Sequence, residues 1–188
     1  FTDISLPNNH PLSTYLIKIS VGLFGKSNTS ILMPSFLCGL AIPALTAWLA
    51  HCLFGSRLIT FLSLLFCCSN GALVFHGASG RGYSLQSLLI TLFALMVVIY
   101  ETKTLAHPKR AVIIRLFLFL IPIGAVLTIP TSILFISPII AMHVFYILFL
   151  KEKKESLQGT YPLLKIIKTH SSILLIYSLF FIMNIIWF

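Results

Sequence analysis

The stretch ILMPSFLCGLAIPALTAWLAHCL, residues 31–53, decides the fold class because it contains no Lys, Arg, Asp or Glu. A helix rises about 1.5 Å per residue, so roughly 20 apolar residues cross the ~30 Å hydrocarbon core of a bilayer. Residues 31–53 therefore predict a transmembrane helix.

Apolar runs of similar length recur along the chain, which is 58% hydrophobic and 9% charged, with a mean hydropathy of +1.02. No soluble domain of 188 residues uses so much apolar surface. We predict an all-α, polytopic transmembrane helix bundle at 31–188, preceded by an extracytoplasmic loop at 1–30. The bundle has about six predicted spans, at 31–53, 57–76, 83–100, 112–129, 131–150 and 171–188.

The apolar region 111–150 is too long for one span and contains the sequence TIPTS at 128–132. Its proline lacks an N–H and its three hydroxyl side chains suit a tight turn, which predicts a hairpin between two antiparallel helices. Prolines inside the spans are expected to kink them without breaking them, because neighbouring groups can bond the freed carbonyls. These prolines are Pro34, Pro43 and Pro122.

Basic residues are distributed unequally between the two sets of alternate loops. One set carries 10 of the 13 Lys and Arg residues, and the other carries only Lys18, Lys26 and Arg81. Since Lys and Arg are retained on the cytoplasmic side, residues 1–30 and the turn at 77–82 are predicted to face outward. The formal charge of +9 then reflects topology and contact with membrane lipids, and a nucleic-acid partner is not expected.

A helix following Pro11 would carry an apolar stripe with i, i+3/4, i+7 and i+11 spacing. The stripe consists of Leu12, Tyr15, Leu16, Ile19, Leu23 and Phe24. Ser13, Thr14 and Lys18 are expected to face away from it. This pattern favours an interfacial helix in the headgroup region with Gly25 as its C-cap, and the alternative is an ordinary connecting helix packed on the bundle.

The orientation predicted from the basic loops also assigns the few ionisable side chains to one face of the membrane or the other. Three of the four acidic residues fall with the cytoplasmic lysines, namely Glu101, Glu152 and Glu155. Asp3 is then the only carboxylate on the outer face, where His10, His76 and Arg81 are also predicted. His143 falls within a span, where a packed and paired role is the default.

Several short segments occur in the order and at about the spacing of one family. They are NNHPL at 8–12, LFG at 23–25, LMPS at 32–35 with GL at 39–40, and FHGASGRGY at 75–83. Together they resemble the membrane-embedded GT-C glycosyltransferases, the superfamily of the protein O-mannosyltransferases and the bacterial lipid A aminoarabinose transferases. The resemblance covers residues 5–100, and the later spans are similar only in being hydrophobic.

The resemblance implies transfer of a hexosyl or pentosyl group from a dolichyl- or polyprenyl-phosphate donor to a hydroxyl of a lipid, glycan or protein acceptor. An outer-loop carboxylate would act as the base, and cationic groups would stabilise the leaving lipid phosphate. We expect a multi-pass protein of the bacterial inner membrane, of which this chain is a fragment. No cofactor is assigned to these residues, and the resemblance leaves open whether the full-length enzyme binds a divalent metal.

The resemblance also implies which residues belong to the functional site. The family's acidic motif lies upstream of the segment at 8–12, so the main catalytic acid is expected before residue 1, and Asp3 is the candidate within this chain. The alternative for Asp3 is a solvated loop aspartate. Arg81 is the first substrate-binding candidate because its guanidinium can hold a phosphate bidentately, and the alternative is snorkelling to headgroups. The substrate-binding candidates are Asn9, His10, His76, Arg81 and Tyr83.

Two other function classes stay open. The sequence GASG at 77–80 resembles the GxSG of rhomboid intramembrane proteases, with Ser79 as nucleophile and His143 as its partner. Against it, Arg81 follows where that family continues into an apolar helix. A transporter or flippase of lipid-linked sugars is the non-enzymatic alternative, since such proteins carry ionisable residues near the midplane and broken helices.

Metal and disulfide chemistry have little support. Asp3, His10 and His76 could meet on the outer face, but no short ligand spacing favours a metal site. The four cysteines lie within predicted spans, form no CxxC pair and are expected to be buried thiols. They are Cys38, Cys52, Cys67 and Cys68.

Overall fold

The computed structural model describes residues 10–103, 108–147 and 177, and within these ranges the chain is helical and contains no strand. The all-α prediction is therefore confirmed for them. In chain order the helices are α1 Pro11–Phe24, α2 Asn28–Phe54, α3 Arg57–Ser69, α4 Gly71–Ala78, α5 Tyr83–Lys103, α6 Pro108–Thr128, a 3-10 turn at Pro130–Ser132 and α7 Ile133–Phe145. Apart from Tyr177, the predicted span 171–188 lies outside the described residues.

Three of the described helices are long and apolar enough to cross a membrane. Large apolar side chains on their surfaces are exposed, among them Phe36, Leu40 and Phe117, which suits contact with lipid. We therefore treat the chain as a membrane protein. The three candidate spans are Asn28–Phe54, Tyr83–Thr102 and Ala111–Thr128, close to the predicted spans 31–53, 83–100 and 112–129.

The predicted span 57–76 is not one continuous helix. It consists of α3 and α4, which are bent by 56° at Asn70. The side-chain oxygen of Asn70 accepts hydrogen bonds from the N–H groups of Ala72 at 3.0 Å and Leu73 at 3.2 Å. This cap starts a new helix in a different direction, so the segment is a broken span or a re-entrant loop.

The turn predicted at 128–132 lies between α6 and α7. α6 ends at Thr128, and Ser132 Oγ donates a hydrogen bond to the carbonyl of Ala125 at 2.8 Å, which satisfies one of the carbonyls at the helix end. α7 then packs against α5 and α6, as the predicted hairpin requires. Together the 3-10 turn and α7, Pro130–Phe145, are shorter than a candidate span. Residues 148–150 of the predicted span lie outside the described residues.

α5 is the central helix and defines the two ends of the bundle. It packs against α2 and against α6, and the buried core lies between α5, α6 and α7. The core includes Phe93, Val97, Leu118, Ile121, Ala125, Ile136 and Ile140. We call the two ends the Tyr83 end and the Glu101 end, after residues near the start and the finish of α5.

α1 packs against α2 and α6, and its buried residues are Ser13 and Ser20. Ser13 thus lies off the apolar stripe and faces the bundle, because small side chains let helices approach closely. Most of the predicted apolar stripe is exposed, namely Tyr15, Ile19, Leu23 and Phe24. Gly25 has a φ of +79° and follows the last helical residue, as predicted.

Candidate functional site

The turn between α4 and α5 depends on glycine at position 80. Gly80 has a φ of +64°, a left-handed conformation that other residues rarely adopt. A Cβ atom at this position would also lie 2.8 Å from Cδ2 of Leu32 in α2. The turn that carries Arg81 is therefore packed closely against the first part of α2.

Ser35 attaches the same turn to α2. Its buried hydroxyl donates a hydrogen bond to the carbonyl oxygen of Arg81 at 3.1 Å. About one helical turn further along α2, a Cβ on Gly39 would lie 3.2 Å from the Cα of Gly77, so α4 also lies close against α2. The backbone of Arg81 is thus held in place, while its side chain is exposed.

His10 is oriented by a hydrogen bond to the end of α6. Its Nδ1 lies 3.1 Å from the carbonyl oxygen of Thr128. A carbonyl oxygen only accepts, so Nδ1 carries the proton and donates it. In the neutral imidazole, Nε2 then keeps its lone pair and is the nitrogen that a ligand can use.

Tyr83 lies against two histidines. Its ring centroid is 5.5 Å from that of His10 and 4.9 Å from that of His76. Gly82 permits this packing, because a Cβ there would lie 3.0 Å from Cγ of His10 and 3.2 Å from Cγ2 of Thr128. We call His10, His76 and Tyr83 the histidine–tyrosine cluster.

Buried polar atoms beside this cluster have hydrogen-bonding capacity that the described residues do not use. Nδ1 of His76, Oγ of Ser84 and Nε2 of Gln86 are buried and have no hydrogen-bond partner among the described residues. Because buried polar groups are nearly always bonded, these atoms suit a polar ligand. Sequence reasoning missed Ser84 and Gln86, although two polar residues in the first turn of an apolar helix were a usable signal.

The predicted site residues are therefore only partly brought together. The structure places His10, His76, Tyr83 and Arg81 at the Tyr83 end, while Asp3 and Asn9 lie outside the described residues. No group of three His, Cys, Asp or Glu side chains that could hold a metal occurs within residues 10–103, 108–147 and 177.

A second polar cluster lies at the Glu101 end. His143 Nε2 is 3.0 Å from Glu101 Oε1, and His143 Nδ1 is 2.6 Å from the hydroxyl of Tyr177. The side chain of Glu101, which was predicted on the side of the cytoplasmic lysines, is 11% exposed and faces this buried histidine. The packed and paired role predicted for His143 is confirmed.

The serine–histidine pair of a rhomboid protease is not formed. Ser79 Oγ donates a hydrogen bond to the carbonyl of His76 at 3.0 Å, beside the start of α5. His143 instead contacts Glu101, which is 18 positions beyond Tyr83 on α5, or about 27 Å along the helix axis.

The four cysteines are free thiols. Cys38 is buried as predicted, and Cys52 and Cys67 are half-buried. Cys68 is exposed, so the prediction of a buried thiol is wrong at this position. The reason is that α3 packs mainly against α2 and has no fully buried residue, so its other side faces outward.

Comparison of the chain with known protein families, with curated proteins and with solved structures finds no match. The chemistry of the Tyr83 end is therefore inferred from its residues alone. Two imidazole rings lie against a tyrosine ring there, and the exposed Arg81 belongs to the turn that leads into this tyrosine. These groups are the hydrogen-bond donors that bind anionic oxygens such as those of a phosphate.

Proposed function

We propose that this chain is part of a membrane-embedded glycosyltransferase of the GT-C type, which transfers a sugar from a polyprenyl-phosphate donor to an acceptor hydroxyl. One observation carries the proposal. Three segments that resemble this family are distant in sequence but meet at the Tyr83 end, where His10 and Ser35 both contact the turn that carries Arg81. A purely structural bundle has no need to gather these polar residues at one end.

Arg81 is the proposed phosphate ligand. Its guanidinium is exposed, while its backbone is held to α2 by Ser35. A guanidinium can hold a phosphate with two parallel hydrogen bonds, and a preorganised cation stabilises the negative charge that develops as the sugar leaves. Arg81 would thus lower the barrier by binding the leaving lipid phosphate more tightly than the intact donor.

The histidine–tyrosine cluster is proposed to orient donor and acceptor. Because His10 Nδ1 is bonded to Thr128, its Nε2 can accept a proton from a hydroxyl or, when protonated, donate to a phosphate oxygen. His76 and Tyr83 add a buried ring nitrogen and a phenol hydroxyl beside it. These groups can position an acceptor hydroxyl near the sugar.

The general base belongs outside the described residues. Glu101 is the only acidic side chain among them, and it lies at the opposite end of α5. Asp3 precedes His10 by seven positions, a span of at most about 25 Å, so it can reach the cluster. The base is therefore proposed to be Asp3 or a carboxylate upstream of it.

The proposed orientation places the Tyr83 end on the extracytoplasmic side of a bacterial inner membrane. Ten of the 13 basic residues fall in the opposite set of loops, and positive charge is retained on the cytoplasmic side. Donor and acceptor would then both bind from the outer face, with the acceptor being a lipid, a glycan or a protein.

The test is a transfer assay on the complete protein with a radiolabelled polyprenyl-phosphate sugar. We expect Arg81→Ala to lower transfer at least tenfold and Arg81→Lys to recover part of it. Arg57→Ala is the matched control, because Arg57 is also exposed but lies at the opposite end of α2 and should leave transfer unchanged. Unchanged transfer in both the Arg81→Ala and the His10→Ala variants would contradict the proposal.

A transporter or flippase of lipid-linked sugars is a second candidate, and two observations favour it. The α3–α4 segment is bent by 56°, and a histidine–glutamate pair is buried in the bundle. Broken helices and intramembrane ionisable pairs are typical of transporters. In vesicles, movement of a lipid-linked sugar that needs Glu101 but not Arg81, without any transfer product, would favour transport over the transferase.

A further inference from the structure

Arg115 places a positive charge inside a candidate membrane span at the Glu101 end. It belongs to α6 and lies four positions after Ala111, the first residue of that span, or about 6 Å along the helix axis. An arginine within a span is costly and is usually retained for a partner or a function. A guanidinium also keeps its charge in proteins, so the cost is not removed by losing a proton.

The contacts of Arg115 with the bundle hold its guanidinium without bonding all of its N–H groups. The guanidinium carbon lies 5.9 Å from the ring centroid of Tyr100, a buried residue of α5. A ring face attracts a cation but provides no oxygen acceptor for the five N–H donors. Nε of Arg115 is buried and has no hydrogen-bond partner among the described residues. Because buried donors are nearly always bonded, an acceptor from outside these residues suits this position.

The first part of α6 is basic and has no acidic neighbour along the chain. Lys109 and Arg110 belong to the first turn of the helix, and no acidic residue lies between Glu101 and Glu152. Within residues 10–103, 108–147 and 177, no ion pair joins Arg115 to an acidic side chain. The charge that complements this part of the helix is therefore an anion.

The surface of α6 beside Arg115 suits contact with lipid. Val112, Ile113 and Leu116 are exposed, and exposed apolar side chains on a membrane span contact acyl chains. Long side chains on a helix lean toward its N-terminus, which directs a guanidinium from the span toward the start of α6. The start of a span lies at the boundary between acyl chains and headgroups, where lipid phosphates are found.

We propose that Arg115 is the central ligand of a binding site for an anionic phospholipid, in the leaflet at the Glu101 end. The lipid phosphate accepts two parallel hydrogen bonds from the guanidinium, which Tyr100 holds in position. Lys109 and Arg110 add positive charge to the same end of α6, which favours an anionic lipid over a zwitterionic one. The acyl chains of the lipid pack on the exposed apolar residues of α6.

This site goes beyond the proposed transferase and shares no residue with the histidine–tyrosine cluster. Tyr100 lies 17 positions beyond Tyr83 on α5, or about 25 Å along the helix axis. The phospholipid is not a sugar donor. It supplies the counter-charge of Arg115 and so stabilises the contact between α5 and α6.

The test measures the binding of single phospholipids to the purified full chain in detergent by native mass spectrometry. Phosphatidylglycerol and phosphatidylcholine with identical acyl chains are compared, so that only the headgroup differs. We expect phosphatidylglycerol to bind about tenfold more tightly. Arg115→Gln should remove most of this preference. Arg115→Lys should keep part of it, because the charge stays while the planar fork is lost.

Arg57→Gln is the matched control. Arg57 is exposed at the start of α3, beyond the end of α2 that is away from the Arg81 turn, so this variant removes the same charge at another helix. We expect it to change the lipid preference by less than about twofold. If Arg115→Gln fails to fold, Arg115→Lys is the variant to compare with this control.

Soluble glycerol phosphate separates a lipid site from a site for free phosphate. It carries the same phosphate without acyl chains and should not displace phosphatidylglycerol at equal concentration. Equal affinity for the two lipids, an equal loss of preference in the Arg115 and Arg57 variants, or displacement by glycerol phosphate overturns the proposal. None of these results bears on sugar transfer, because neither lipid carries a sugar donor.

Discussion

His10 donates a hydrogen bond from Nδ1 to the backbone carbonyl of Thr128, 3.1 Å away, although 118 positions separate the two residues. Thr128 is fully buried at the end of α6, and His10 is the residue before α1. The contact therefore joins the start of the described chain to the third candidate span. It fixes the position of the His10 ring, which lies against Tyr83.

Replacing His10 by Ala should destabilise the bundle as well as the site. The carbonyl of Thr128 loses its side-chain donor in a buried position, which typically costs about 1–3 kcal/mol. We expect a lower midpoint for thermal unfolding in detergent. Thr14→Ala, an exposed change in the first turn of α1, is the control and should leave the midpoint nearly unchanged. Equal midpoints for His10→Ala and the parent protein would contradict the assigned hydrogen bond.

Gly82→Ala should separate His10 from Tyr83. The added Cβ would lie 3.0 Å from Cγ of His10 and 3.2 Å from Cγ2 of Thr128, closer than ordinary contacts, so α1 or α6 must shift. We expect both unfolding stability and transfer to fall. Gly22→Ala is the matched control, because a Cβ at position 22 meets nothing within 4 Å. That change lies within α1 and should stabilise it by up to about 1 kcal/mol.

Asn70→Ala should loosen the start of α4. The N–H groups of Ala72 and Leu73 both lose the side-chain oxygen that caps them, at a cost of about 1 kcal/mol. We expect faster hydrogen exchange at these two amides. Asn70→Asp keeps an acceptor oxygen and should exchange slowly. Unaltered exchange in the Ala variant would mean that the 56° bend has another cause.

Ser35→Ala should weaken transfer without unfolding the protein. The hydroxyl bonds the carbonyl of Arg81, so its loss frees the turn that positions the guanidinium. We expect a several-fold fall in transfer, smaller than that caused by Arg81→Ala. Ser30→Ala is the control, since Ser30 is equally buried in α2 but its hydroxyl bonds only Ser27. Equal effects of the two serine variants would show that the loss is not specific to the turn.

The orientation can be tested by labelling single cysteines from each side of the membrane. In a variant without the four native cysteines, Thr29→Cys places a thiol at the exposed start of α2, and Arg57→Cys places one at the exposed start of α3, just after α2 ends. An impermeant maleimide added outside intact cells should label position 29 only, because the basic loops face the cytoplasm. Labelling of position 57 instead would invert the topology and remove the proposed site from the outer face.

The amino-acid sequence by itself determined the membrane class and the approximate positions of three long helices. Bilayer thickness and helical rise set the length of an apolar span whatever its neighbours are. Residues 31–53 could therefore be predicted as a span without knowledge of any tertiary contact. The turn around Pro130 and the end of α1 at Gly25 were predictable for a similar reason, because backbone chemistry at one or two positions decides them. The alternation of predicted spans and loops also predicted that His10, His76 and Arg81 lie at the same end of the bundle.

Only the tertiary structure decided which side chains meet. The pairing of Glu101 with His143 joins positions 42 apart, and the bond from His10 to Thr128 joins positions 118 apart, so no local pattern reports either contact. The burial of Ser13 could not be predicted from helical periodicity, because in lipid the apolar stripe of a helix can face outward while a small side chain faces the neighbouring helix. Span length is a property of each segment alone, whereas a site is a property of segments packed together.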